Sequence, residues 1–139
     1  MITGTQAREA LDRVAAAAAA AGMPVAIAIV DARGDLVAAF RMDGAHQRML
    51  NVSHRKAYTA AVREQTTDAF REELIARKIE IGNFGDPFFT VLPGGIYITG
   101  ADGRTIAGIG VTGRTKGRDV EFGKAGVAAF GPGAQAPDE

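Results

Sequence analysis

The chain has 139 residues, with 16 basic and 16 acidic side chains, 47% hydrophobic residues and no cysteine. This length predicts one domain that is large enough to bury its own core. The missing cysteines exclude thiol catalysis, cysteine-ligated zinc, iron–sulfur clusters and covalent haem attachment. The balanced charge indicates no nucleic-acid partner, because phosphate binding requires an excess of basic residues.

The alanine run over 15–21 is the one segment that could be taken for a targeting signal. It contains no Leu or Ile and follows directly on Asp12 and Arg13, so it does not resemble a signal peptide. No stretch approaches the roughly 20 apolar residues that a membrane span requires. We therefore expect a cytoplasmic protein with no membrane partner.

The first half of the chain predicts a helix, a β-hairpin and a second helix. Thr3 or Thr5 caps the first helix, and Gly22 and Pro24 end it. Alternating apolar residues then predict two short strands about a turn, before the pattern becomes helical again. The predicted ranges are about 3–21 for the first helix, 25–30 and 36–40 for the strands, and 46–63 for the second helix.

The second half predicts a short helix, an aromatic loop, a second hairpin and a last helix. Thr66 or Thr67 caps the short helix and Gly82 ends it. Asp102-Gly103 between two apolar runs is a strong hairpin signal, because this turn requires positive φ. The predicted ranges are 68–81 for the helix, 83–93 for the loop, 92–115 for the hairpin and 117–130 for the last helix, with a further short strand near 88–91.

Strands that arrive as hairpins, with helices between them, predict an α+β fold in which helices pack on an antiparallel sheet. We expect a single domain over residues 1–131 and a flexible tail over residues 132–139. The letters G-x-G-x-x-G at 108–113 do not predict dinucleotide binding, because they lie within a strand and its exit instead of between a strand and a helix.

His54 is the first candidate for chemistry. It lies in the predicted second helix at the margin of an apolar stripe, with Tyr58 beside it. Histidine is a frequent metal or haem ligand and a frequent acid–base group. The alternative is a partly exposed histidine that hydrogen-bonds a backbone carbonyl. His46 lies about two turns earlier, too far to share one ion with His54, so no metal site is predicted.

Arg41 and Lys56 are the candidate anion-binding residues. Arg41 follows the second strand and has a guanidinium that can hold a carboxylate with two hydrogen bonds. Lys56 lies among alanines and either buries its stem while its ammonium reaches a carboxylate, or faces a pocket and binds an anionic group.

The loop over 83–93 contains three of the seven phenylalanines, Phe84, Phe88 and Phe89, and Tyr97 follows it. Aromatic side chains beside a helix with polar residues can line a site for a flat ligand. They can equally close one end of the core or form a subunit interface.

Several motifs occur in the order in which they occur in the GlcG/HbpS family of small haem-associated proteins, which the chain resembles over about residues 3–131. They are Arg41-Met42-Asp43-Gly44-Ala45, Lys56-Ala57 with Thr59-Ala60, Leu92-Pro93-Gly94-Gly95, Gly108-x-Gly110-Val111-x-Gly113, and Asp119. The resemblance implies a profilin-like α+β domain with a five-stranded antiparallel sheet, which assembles as a homo-oligomer. It also implies haem as a candidate cofactor.

Tyr97 stands where such sequences usually have proline, and His54-Arg55 replaces what is commonly a small or apolar pair. These departures point to a specialised ligand.

The first functional hypothesis is a binding protein for haem or another flat anionic or aromatic metabolite. His54 is then the ligand or hydrogen-bond donor, Arg41 and Lys56 bind the anion, and Phe84, Phe88, Phe89 and Tyr97 form the apolar walls. The second hypothesis is a small cofactor-independent lyase, isomerase or hydrolase acting on a carboxylated or aromatic metabolite. In that case His54 is the acid–base group, Tyr58 or Tyr97 donates a proton, and Arg41 or Lys56 anchors the substrate.

A third hypothesis is a structural module without an enclosed pocket near His54. The alanine-rich helix, the apolar strand and the aromatic loop carry more apolar surface than one core requires. We therefore predict at least a dimer, with the 83–97 region near a subunit boundary.

Overall fold

The computed structural model describes residues 1–137, and over these residues four strands form one antiparallel sheet with helices on both faces. The strand order is β2-β1-β4-β3. The elements are α1 (Gly4–Ala20), β1 (Val25–Asp31), β2 (Leu36–Arg41), α2 (Met49–Arg63), α3 (Thr67–Arg77), β3 (Gly95–Thr99), β4 (Thr105–Gly113) and α4 (Asp119–Lys124).

The α+β class is therefore confirmed, but the sheet of the described chain has four strands and not five. The segment 88–91 forms no strand, because its backbone groups bond to side chains of α2. Arg55 binds the carbonyls of Phe88 and Phe89, and the N–H of Thr90 donates to Thr59 Oγ1. The profilin-like classification stays a prediction.

The helix boundaries follow local hydrogen bonding. Thr3 caps α1 through a capping box with Gln6, as its sequence position indicated. The helix α2 begins at Met49 instead of near residue 46. The helix α3 ends at Arg77, capped by Lys78 with φ 55°, instead of continuing to Gly82. The predicted last helix is interrupted, because α4 is followed by a separate 3-10 turn over 127–130.

The main core lies between the sheet and the helices α1 and α4. Ile27 and Ile29 of β1 pack there with Ile96, Ile109 and other buried residues. The opposite face is much thinner, since Ala28 and Val30 meet Ala57 and Ala61 of α2. The central strand β1 is thus buried on both faces, which explains its nearly continuous apolar sequence.

Glycines of β4 allow α2 to lie directly on the sheet. A Cβ added at Gly110 would overlap the carbonyl oxygen of Ser53, and one added at Gly108 would overlap that of Ala57. These glycines of the G-x-G-x-x-G string therefore serve close helix–sheet packing.

The C-terminal segment partly joins the sheet edge. Gln135 exchanges two backbone hydrogen bonds with Thr99, each of 2.9 Å. Residues 138 and 139 of the predicted tail lie outside the described residues. Within residues 1–137, no helix is both long enough and apolar enough to cross a bilayer.

Candidate functional site

The outer edge of α2 brings His54 and Tyr58 together, one helical turn apart, against the aromatic loop. The ring of Phe88 lies edge-on to both, with centroid distances of 4.8 Å to His54 and 5.1 Å to Tyr58. Tyr58 also borders the β1–β2 hairpin, because a Cβ at Gly34 would meet its ring. The structure thus unites three of the residues that the sequence singled out.

Besides Thr59, two more side chains of α2 hold this loop in place. Arg55 donates to the carbonyl oxygens of Pro87 at 2.6 Å, Phe89 at 3.1 Å and Phe88 at 3.3 Å. The hydroxyl of Tyr58 donates a hydrogen bond of 2.6 Å to Asp86 Oδ2. Phe88 is therefore presented to His54 by a loop whose backbone is fixed on α2.

The other two phenylalanines of the loop pack into the protein. Phe84 and Phe89 contact Phe70 of α3, with ring centroids 5.3 and 5.6 Å away. The guanidinium of Arg63 lies over Phe70 and Phe84 at 4.7 and 4.8 Å. These rings close the core beneath the loop, which was one of the alternatives for them.

The strand β2 continues from the hairpin that Tyr58 borders, and most of its residues are exposed. Arg41 pairs with Ala26, Ala39 with Ala28, and Leu36 with Val30, so these β2 side chains lie on the sheet face that α2 covers. Because α2 packs mainly on β1, β3 and β4 and only lightly on β2, Leu36, Ala39 and Arg41 are exposed. We call these three residues the β2 shelf. Arg41 makes no ion pair with any residue between 1 and 137.

Lys56 points the other way, into the interior. Its Nζ donates to the carbonyl of Val111 at 2.8 Å and to Asp119 Oδ2 at 3.2 Å, and the residue is 2% exposed. Thr115 completes the cluster by donating to Asp119 Oδ1 at 2.6 Å. Burial lowers the pKa of Lys56, and the charge of Asp119 opposes this. This geometry matches the buried-stem alternative for Lys56, since its charge already has a carboxylate partner.

Tyr97 lies in β3, opposite Gly108, on the sheet face that α2 covers. The strand β3 is at the edge of the sheet opposite to β2. The sequence analysis placed Tyr97, as an apolar wall or proton donor, in one cleft with Arg41, as an anion-binding residue, but the two residues are on strands at opposite edges of the sheet.

The electrostatic environment distinguishes His54 from Tyr58. Burial lowers the pKa of His54, so its imidazole is neutral at pH 7. The pKa of Tyr58 is raised, first by its hydrogen bond to Asp86 and then by burial. His54 makes no hydrogen bond or ion pair with the part of the chain that the structure describes, so its ring nitrogens are available to a ligand.

Sequence reasoning did not identify Asp86 as part of this site. A signal was present, because an acid in a Gly-Asp-Pro turn commonly bonds the backbone, and Asp86 Oδ1 does accept the N–H of Phe88 at 3.0 Å. Its second role, holding Tyr58 of α2, depends on tertiary structure. Across the described residues, no group of three His, Asp or Glu side chains is arranged to hold a metal ion.

The comparisons with known proteins agree with this architecture. A family described as haem degrading protein HbpS-like matches residues 2–128. Among solved structures, a double mutant of HbpS from Streptomyces reticuli is 31% identical, with 94% of this chain and 88% of that chain covered and a TM-score of 0.84. Among curated proteins, none matches the sequence.

Two further solved structures share the fold at lower identity. The PduOC–haem complex is 21% identical, with 92% of this chain and 94% of that chain covered and a TM-score of 0.80. Klebsiella pneumoniae protein ORFY is 22% identical, with 93% and 90% covered and a TM-score of 0.81.

Proposed function

The chain belongs to the HbpS-like family, and on that premise we propose that it binds haem on the β2 shelf, with His54 as the iron ligand. The observation that carries the proposal is the environment of the His54 side chain. Its imidazole has no hydrogen-bond partner in the described chain, and it packs edge-on against Phe88. It lies one helical turn before Tyr58, which borders the β1–β2 hairpin.

The residues at the shelf have the chemistry that haem requires. Neutral imidazole is the commonest protein ligand of haem iron, and the lowered pKa of His54 keeps the ring neutral at pH 7. Leu36, Ala39 and Phe88 offer apolar contacts to a flat macrocycle. Arg41, which forms no ion pair within residues 1–137, supplies a guanidinium for a propionate.

The residues around the shelf position these groups. Arg55 and the Tyr58–Asp86 hydrogen bond fix the loop that carries Phe88, so the aromatic wall is formed before any ligand binds. When bound, haem would supply redox and oxygen chemistry, and His54 would hold its iron. The chain itself binds, orients and partly shields the group.

The related proteins support a haem ligand. The HbpS-like family is described by haem degradation, and one structural neighbour, PduOC, is a haem complex. The cofactor-independent enzyme is not favoured. The hydroxyl of Tyr58 is bound to Asp86 and has a raised pKa, so it is a poor proton donor at neutral pH.

A haemin titration followed at the Soret band tests the proposal. We expect saturable binding by the unmodified chain and loss of the shifted Soret band in His54→Ala. The chain has two histidines, so His46→Ala is the matched control and is expected to retain the band. An unmodified chain without a saturable shift, or equal spectra for both histidine variants, would contradict the assignment.

A further inference from the structure

A cavity lies between three connecting segments, at the end of β1 that is remote from the β1–β2 hairpin. Its volume is about 350 Å³. The segments are the turn after α1, the loop between β2 and α2, and the residue that follows β4. The lining residues are Gly22, Met23, Pro24, Gly44, Ala45, His46, Met49 and Arg114.

The cavity is a product of close packing between these turns. Gly22 and Gly44 adopt φ of 69° and 92°, a region that glycine enters without steric cost. A Cβ at Gly44 would lie 3.3 Å from Pro24 Cγ, so the two segments are already near contact there. The space that remains beside this contact is bounded by His46, Met49 and Arg114.

The two polar side chains that line this cavity, His46 and Arg114, can both donate hydrogen bonds. His46 Nδ1 accepts the backbone N–H of Arg48 at 3.1 Å, so the proton of the neutral ring is on Nε2. The guanidinium of Arg114 is exposed and forms no ion pair or hydrogen bond with residues 1–137. Within the described chain, the residues that line the cavity include no Asp or Glu.

The remaining lining is apolar and adaptable. Met23, Pro24 and Met49 are partly buried around the cavity. Methionine side chains adjust to apolar groups of different shapes, because they are unbranched and polarisable. A lining that combines donor side chains with methionines is the complement of a carboxylate that carries a short apolar body.

We propose that this cavity binds a small monocarboxylate with a short apolar chain. Arg114 receives the carboxylate, His46 Nε2–H provides a further donor, and Met23 and Met49 contact the apolar chain. The volume is near the lower end of the range for small-molecule sites, about 300–1,000 Å³, which suits a short metabolite and not a porphyrin. The site is separate from the β2 shelf and goes beyond haem binding.

The probe is hexanoate, added to the full chain labelled with 15N and followed by amide chemical shifts. We expect saturable shifts confined to residues 22–23, 44–49 and 113–115, and none with hexylamine. Arg114→Gln should weaken binding about tenfold or more, since it removes a charge-assisted pair. Arg104→Gln is the matched control and should bind normally, because Arg104 is an exposed residue of the β3–β4 turn, at the other end of β4 from Arg114. His46→Phe removes the other donor and should independently weaken hexanoate binding.

A haem propionate is also a carboxylate and could occupy this cavity. The same samples distinguish a haem propionate from a free monocarboxylate. Saturating hexanoate should leave the haemin titration unchanged, and His54→Ala should bind hexanoate normally. Competition between hexanoate and haemin would overturn the proposal of a separate site. So would an absence of saturable shifts, or equal hexanoate affinity in Arg114→Gln and the unmodified chain.

Discussion

Lys56 shows how a single buried charge connects three parts of the fold. It joins α2 to the carbonyl of Val111 and to Asp119 at the start of α4. Lys56→Met keeps the apolar stem but leaves both acceptors without their cation. We expect it to lower the free energy of unfolding by about 3 kcal/mol, as for other broken buried pairs. Urea unfolding monitored by circular dichroism measures this change.

Lys124→Met is the matched control, because Lys124 is exposed on α4 and forms no ion pair within residues 1–137. Its stability should stay within about 0.5 kcal/mol of the unmodified chain. If both lysine variants unfold at the same urea concentration, the ammonium of Lys56 does not stabilise the fold.

The sequence left two roles open for Lys56 for a physical reason. The alanines around it indicated a crowded helix face, which is compatible with a buried stem. Its partner Asp119 is 63 residues away, and only the β4–α4 connection brings them together. His54 was easier to assign, because its neighbour Tyr58 is on the same helix and Phe88 is in the one aromatic loop.

At the scale of elements, the packing of α2 on β4 depends on Gly110. A methyl group there would overlap the Ser53 carbonyl, and backbone cannot rotate away as a side chain can. We expect Gly110→Ala to destabilise the protein by at least about 3 kcal/mol or to prevent folding. Thermal unfolding is the measurement.

Gly4→Ala is the comparison variant, since a Cβ at this first residue of α1 meets nothing within 4 Å. It should unfold close to the temperature of the unmodified chain. Similar midpoints for the two alanine variants would show that α2 can move off the sheet at little cost.

Hairpins and capped helices were predictable from sequence, because their signals are local. Asp102-Gly103 and Thr3 are examples, and both occupy the expected turn and cap. The absent strand at 88–91 was not predictable, since its N–H and C=O groups bond to Arg55 and Thr59 on a distant helix. The role of Gly108 and Gly110 likewise required the position of α2.

At the scale of the whole molecule, β2 is the least protected element. Val37 and Phe40 are 38% and 47% exposed on this edge strand. Apolar edge strands favour association with another chain. We expect light scattering after size exclusion to give at least twice the 14.5 kDa chain mass, and Phe40→Glu to shift the protein to the monomer.

Ile75→Glu is the control for this experiment, because Ile75 is 57% exposed but lies on α3. Leu92→Glu tests, in the same assay, the sequence-based prediction that the 83–97 region borders a second subunit. A 14.5 kDa mass for the unmodified chain at micromolar concentration would contradict assembly altogether.

The central claim is that His54, beside Phe88, holds the iron of a haem bound on the β2 shelf. Anomalous diffraction from crystals grown with haemin, measured at the iron absorption edge, locates the iron independently of the rest of the electron density. The account predicts one anomalous peak within bonding distance of a His54 ring nitrogen, with the macrocycle over Leu36 and Ala39. Iron bound to any other residue, with no bond between the iron and His54, would contradict it.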